Sequence, residues 1–310
     1  MKVFNFNAGP AMLPTSVMER AQKEFCDYHG TGCGILEHSH RGKDFQAVLD
    51  HTNQNIRDVF GVSDAYDIVY IQGGASMQFA MIPMNLMTTG AADFVDTGTW
   101  SSKAMKEARL FGEVRVAAQS KDTKYDHIPA FDTWKLSEDA SYVHITSNNT
   151  IYGTQYQDFP TTKAPLIADM SSDIMSRKVD VSKFGMIYAG AQKNLGPSGL
   201  ALVIIRKDLV GRTPEKVPTM LKYSTYTENN SLYNTPPTFG IYMIGLVTDW
   251  IREVGGLEAV EKMNDAKAAL LYQAIDESNG YYSTPVKKCS RSKMNVVFRP
   301  KNSKRSSSKS

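Results

Sequence analysis

The chain has little cysteine. Cys26, Cys33 and Cys289 lie far apart and form no Cys-x-x-Cys. That spacing argues against a disulfide framework or a thiolate zinc site and fits a reducing compartment. Long apolar runs are also missing. The longest aliphatic stretch, Leu200 to Ile205, falls far short of the roughly 20 residues of a membrane span. The opening MKVFNFNAGPAMLP lacks the apolar core of a secretory signal. These absences predict a cytoplasmic protein with no membrane partner. Asn148-Asn149-Thr150 and Asn229-Asn230-Ser231 match the glycosylation sequon, which carries no meaning in such a chain.

A surplus of charge is missing too. There are 35 Lys and Arg against 32 Asp and Glu. Four of those cations, Lys301, Lys304, Arg305 and Lys309, sit in the last ten residues, which hold no acid. The body is therefore nearly neutral and offers no electrostatic footprint for nucleic acid. No internal repeat, G-x-G-x-x-G or P-loop occurs, and no His/Cys/Asp cluster predicts a metal. What remains is ordinary globular composition, 42% hydrophobic and 22% charged, over 310 residues. Length and composition together suggest about two domains with a sizeable core.

Ser16-Val17-Met18-Glu19 reads as a capping box opening a helix to about Tyr28. A second helix is predicted over about Asp44 to Phe60. From Asp67 onward short β-rich runs alternate with helical stretches. Strands are expected at 68–71, 94–96, 114–118, 142–146, 166–168, 186–188 and 200–205, with helices at 77–87 and 100–111. Several strands are apolar at consecutive positions, as strands buried on both faces should be. This alternation predicts an α/β domain with a mainly parallel sheet. Two more helices, about 239–254 and 257–278, flank Gly255-Gly256, and Met294 to Arg299 reads as a last strand.

Ligands of open α/β sheets bind beyond the carboxyl ends of the strands. Gly73-Gly74-Ala75-Ser76 follows one strand and opens a helix. It is either an ordinary turn or an anion cradle made by free N–H groups and the helix dipole. Asp169 ends another strand, as a loop cap, a metal ligand or the partner of a cofactor nitrogen. Lys193 is delivered by an apolar strand into Ala-Gly-Ala-Gln-Lys-Asn-Leu-Gly-Pro-Ser-Gly. It is either a surface lysine or a desolvated nucleophile of lowered pKa. Trp100 starts a helix after strand 94–96, as a packing residue or a stacking platform. Anion cradle, flat ring, carboxylate and amine at one sheet edge together suit pyridoxal phosphate.

Specific segments then carry a family resemblance. They are Phe6-Asn7-Ala8-Gly9-Pro10-Ala11, Glu37-His38-Ser39-His40-Arg41, Gln72-Gly73-Gly74-Ala75-Ser76, Thr97-Gly98-Thr99-Trp100-Ser101, Asp169-Met170-Ser171-Ser172 and Ala189-Gly190-Ala191-Gln192-Lys193-Asn194. Ser231-Leu232-Tyr233-Asn234-Thr235-Pro236-Pro237 and Arg291-Ser292-Lys293-Met294-Asn295 continue the series. With these motifs in order from about residue 3 to 299, the chain resembles the phosphoserine aminotransferases, class V members of pyridoxal phosphate fold type I.

The resemblance implies a three-layer α/β fold. Its large domain spans 15–255, and segment 1–14 associates with a small C-terminal domain that starts at 256–299. It implies that Lys193 attaches the cofactor and shuttles the proton, and that Asp169 holds the ring nitrogen protonated. Trp100 stacks on the ring; Ala75, Ser76 and Gln192 take the phosphate; Thr150 lies on the ring-oxygen side. Arg41 pairs with the substrate carboxylate beside His40. Asn234 and Thr235 reach the neighbouring active site of a homodimer. Substrates are phosphoserine, 2-oxoglutarate and glutamate in serine biosynthesis, with phosphohydroxythreonine as a further candidate. Family motifs stop at Arg299, and 300–310 reads as a basic low-complexity tail. The small domain therefore looks truncated. This leaves a weakly active or merely dimerising form, or another class V aminotransferase, as alternatives.

Overall fold

The structure is a computed structural model and describes residues 3–301. Most of the basic tail, 302–310, lies outside the described residues. Seven strands form one sheet: β1 (Tyr66–Gln72), β2 (Ala91–Asp96), β3 (Glu113–Gln119), β4 (Val143–Thr146), β5 (Leu166–Asp169), β6 (Met186–Gly190) and β7 (Leu200–Arg206). Their order is β1-β7-β6-β5-β4-β2-β3, and β7 alone runs against its neighbours. Six main helices complete the chain: α1 (Thr15–Glu24), α2 (Lys43–Phe60), α3 (Gly74–Leu86), α4 (Thr99–Ala108), α5 (Thr238–Glu253) and α6 (Gly256–Asp276).

The consecutive apolar strand residues divide by parity between two cores. Leu202 and Ile204 of β7 join Ile187, Ile145 and the helices α2 and α5. Val203 and Ile205 join Ile167, Tyr188 and the helices α3 and α4. Helix, sheet and helix thus make three layers, as expected; the central strands are dry on both faces, while edge strand β3 is partly exposed.

Two expectations need correction. Helix α1 starts at Thr15, two residues early, after Pro14 with no side-chain cap, and ends at Glu24 rather than near Tyr28. The fixed φ of proline opens the helix there, so Ser16 already lies inside the first turn and its capping box does not form. At the other end, Met294 to Arg299 is not a strand. Only Arg299–Pro300 pairs, antiparallel with Tyr282–Ser283. The buried Ser292 hydroxyl accepts the backbone N–H groups of Met294 and Asn295 at 3.0 and 2.9 Å, which folds this stretch into a turn. The same stretch lies on the large domain, where Ser292 N donates to the Gly153 carbonyl at 2.8 Å and Lys293 N to Gln155 Oε1 at 2.9 Å.

Candidate active site

Parallel strands place their carboxyl ends along one edge, and the sheet register sets which residues meet there. Thr146 pairs with Asp169 across β4 and β5, and Asp169 with Tyr188 across β5 and β6. The segments after β1, β2, β4 and β6 leave from this edge and carry Ala75, Trp100, Thr150 and Lys193.

Lys193 is half-buried. Its Nζ donates to Thr150 Oγ1 at 2.6 Å and sits 4.8 Å from the centre of the Trp100 ring. Burial lowers its pKa, while the charges of Asp169 and Asp173 oppose that shift. Its stem packs on the N-terminal segment: a Cβ on Gly9 would stand 2.8 Å from Lys193 Cγ. Segment and site are pinned by the Ala11 N–H donating to the Gln192 carbonyl at 2.9 Å.

Asp169 is 5% exposed. Its Oδ1 accepts from Ser171 N at 3.0 Å and from Ser171 Oγ at 2.6 Å. Burial pushes its pKa up, and the Lys193 charge and the Ser171 bonds only partly offset this. A buried carboxylate short of a cation is suited to a cationic ring nitrogen. Asp173, four residues on, differs. It takes hydrogen bonds from Ser147 and Gln155 and faces Arg177 at 3.8 Å.

Trp100 stands in the first turn of α4, and the turn is fixed by Asp96 at the end of β2. That carboxylate accepts from Ser101 Oγ at 2.8 Å and from Tyr125 OH at 3.1 Å. The indole Nε1 is buried without a partner. At the start of α3, Gly73 and Gly74 have φ of 99° and 66°, a conformation that favours glycine. A Cβ on Gly190 would lie 3.3 Å from the Ala75 N–H and 3.0 to 3.4 Å from the Gln192 amide. These groups therefore face one notch at a helix N-terminus, a fit for a phosphate.

The loops are less well placed. Arg41 is exposed, and its guanidinium has no hydrogen bond or ion pair among the described residues. His40 is half-buried with Nε2 unpartnered. Asn234 and Thr235 are exposed; the Thr235 carbonyl accepts from Gln72 Nε2 at 3.1 Å, beside the notch. Among the described residues no hydrogen bond or ion pair joins Arg41, His40, Asn234 or Thr235 to Lys193. Sequence reasoning missed Ser171, Asp96, Asn148 and Asn149; Ser171 and Asp96 bond to near neighbours, Asp169 and Ser101, while the partners of Asn148 and Asn149 lie far along the chain. Only the polar run Ser147-Asn148-Asn149-Thr150 after β4 marks one of these places.

This sheet, with an amine, a buried carboxylate and a helix-N-terminal notch at one edge, is that of a class V aminotransferase: the aminotransferase class-V family matches residues 3–308. The match runs past Arg299, where the short motifs end. Within that class the chain belongs to the phosphoserine aminotransferase family. It is 54% identical to the phosphoserine aminotransferase of Geobacillus kaustophilus over 298 residues, which is 96% of this chain and 83% of that one. The solved phosphoserine aminotransferase of Bacillus circulans subsp. alkalophilus superposes with a TM-score of 0.94 at 54% identity, covering 96% of this chain and 83% of that one. The PLP-bound enzyme of Trichomonas vaginalis gives 0.92 at 39% identity, over 97% and 84%.

Proposed function

We propose that this chain transfers an amino group reversibly between O-phosphoserine and 2-oxoglutarate, giving 3-phosphohydroxypyruvate and glutamate. It acts as a cytoplasmic homodimer in serine biosynthesis. One observation carries the reading: the Lys193 amine is held by Thr150 and Trp100, within reach of the Asp169 charge. When bound, pyridoxal phosphate supplies an aldehyde that takes up amines and a ring that accepts an electron pair. The chain's own residues do the rest.

Lys193 is the attachment point. Its amine would hold the cofactor and, when free, would carry the proton between the substrate α-carbon and the cofactor carbon on the far side of the amino nitrogen. Burial lowers its pKa, which favours the free base that such a proton transfer needs. Thr150 orients Nζ. Asp169 in its dry pocket favours a cationic partner over a neutral one. Trp100 forms a flat wall that keeps water out. The phosphate is taken by Ala75, Ser76 and Gln192, where the helix dipole and free N–H groups favour an anion. Arg41, with a free planar fork, suits the substrate carboxylate, and His40 the substrate phosphate. Asn234 and Thr235, exposed at the same edge, serve the phosphate of a second copy. Two half-reactions share these groups in ping-pong order.

The test is reduction with borohydride after loading with pyridoxal phosphate, followed by glutamate formation from phosphoserine and 2-oxoglutarate. A reduced adduct on the Lys193 peptide and phosphoserine-dependent turnover are expected. An adduct on another lysine, or preference for an unphosphorylated donor, overturns the reading.

A further inference from the structure

The triplet Asn148-Asn149-Thr150 matches the glycosylation sequon, yet in the fold each of its side chains grips a different part of the site. Thr150 holds Lys193. Asn149, fully buried, donates through Nδ2 to the Thr97 carbonyl at 2.9 Å and to Thr97 Oγ1 at 3.1 Å. Its Oδ1 abuts Gly98 so closely that a Cβ there would stand 2.5 Å away. Thr97 and Gly98 form the turn that aims Trp100. Asn148, 2% exposed, donates to Ser172 Oγ at 2.8 Å, and Ser172 Oγ donates back to the Asn148 carbonyl at 2.8 Å. Ser172 sits three residues after Asp169. The same Asn148 amide accepts from Ser292 Oγ at 2.5 Å and donates to Asn295 Oδ1 at 2.8 Å. Both polar atoms of its side chain are engaged, whereas Asn149 Oδ1 is buried without a partner. Buried hydrogen bonds of this kind hold their members in one arrangement.

We infer that Asn148 and Asn149 are positioning residues with separate duties: Asn149 sets the Trp100 ring through the Thr97–Gly98 turn, and Asn148 sets Asp169 through the loop at Ser172. The pairing is physical. Consecutive residues of an extended segment point to opposite sides, so these neighbours in sequence reach different segments of the site, Thr97 and Ser172. The inference rests on the reading that this edge holds pyridoxal phosphate.

The experiment compares Asn149→Ala and Asn148→Ala in a Trp134→Phe, Trp250→Phe background, where Trp100 is the one indole left. Two readouts are taken: acrylamide quenching of Trp100 in the cofactor-free protein, and the pH midpoint of the bound cofactor's absorbance. Asn149→Ala is expected to raise quenching several-fold and leave the midpoint in place. Asn148→Ala is expected to shift the midpoint by about one pH unit and leave quenching in place. Thr97→Val and Ser172→Ala repeat the two arms more gently and serve if the alanine variants fail to fold. Both readouts moving together in every variant, or neither moving, overturns the inference. A parent protein that takes up no cofactor overturns the functional reading instead, while the quenching arm still judges Asn149.

Discussion

Two sets of candidate site residues are held very differently. Lys193, Asp169, Trp100 and Thr150 stand where strands end, partly or wholly buried, and two of them share a direct hydrogen bond. Arg41, Asn234 and Thr235 ride on exposed loops. The first set is complete within one chain because sheet register fixes its members. The second set makes no hydrogen bond or ion pair with the first among the described residues, and it is the set that the proposed function gives to the substrate and to a second copy. Chemistry at the reacting carbon needs the rigid set, and recognition of a partner needs the open one.

The largest effect should come from Lys193→Ala. It removes the nucleophile, so borohydride reduction should leave no covalent cofactor on the chain and transamination should vanish. A retained adduct on the same peptide would break the distinction between rigid and open sets at its strongest point.

Asp169→Asn comes next. It keeps the shape and the Ser171 bonds but removes a buried charge, so turnover should fall by orders of magnitude with the fold intact. The same change should lower the Lys193 pKa further in the cofactor-free protein. Asp169 is the larger of the two charges holding that pKa up against burial, so its loss lets desolvation win. The pH dependence of carbamylation of Lys193 by cyanate measures this. An unchanged or raised midpoint would show that the carboxylate does not act on the amine.

The open set should respond more mildly. Arg41→Ala should raise KM for phosphoserine by about 10- to 100-fold, the loss of one charge-assisted bond of roughly 1.5–3 kcal/mol. A larger fall in kcat than in affinity would move Arg41 into the rigid set. The dimer reading is sharpened by mixing Lys193→Ala with an Asn234→Asp, Thr235→Ala variant and looking for activity above the sum of the two.

The smallest effect concerns stability. His144 lies beneath the site on β4, 1% exposed, with Nε2 2.9 Å from Tyr188 OH. Burial pushes its pKa down to about 3 from an ordinary value of 6.5. The unfolded chain therefore binds a proton near pH 6.5 that the folded chain refuses. The stability this neutral ring contributes is present above pH 6.5 and is lost as pH falls toward about 3. A curve of melting temperature against pH should flatten over that window in His144→Gln. An equally steep fall in the variant would assign the acid limb to other groups.

Much of the fold was legible because its signals are local. Leu200 to Ile205 is apolar at every position, which only a strand dry on both faces sustains. Lys193 stood out because a long cation follows an apolar strand among small residues. Asn148 and Asn149 gave no such signal, since their partners, Thr97, Ser172, Ser292 and Asn295, are far off in sequence and only register brings them near. Met294 to Arg299 misled for a related reason: its apolar pattern suits a strand, but the Ser292 hydroxyl captures its backbone first.

By itself the sequence determined the alternation of strand and helix, the neutral cysteine-poor body and the identities of the amine, carboxylate, ring and cradle. Those follow from side-chain chemistry and short-range periodicity, which each segment carries alone. The tertiary structure decided which of these groups meet. The strand order β1-β7-β6-β5-β4-β2-β3 brings residues 75, 100, 150, 169 and 193 to one edge. Burial there, a property of the packed molecule and not of any segment, depresses the lysine and raises the aspartate.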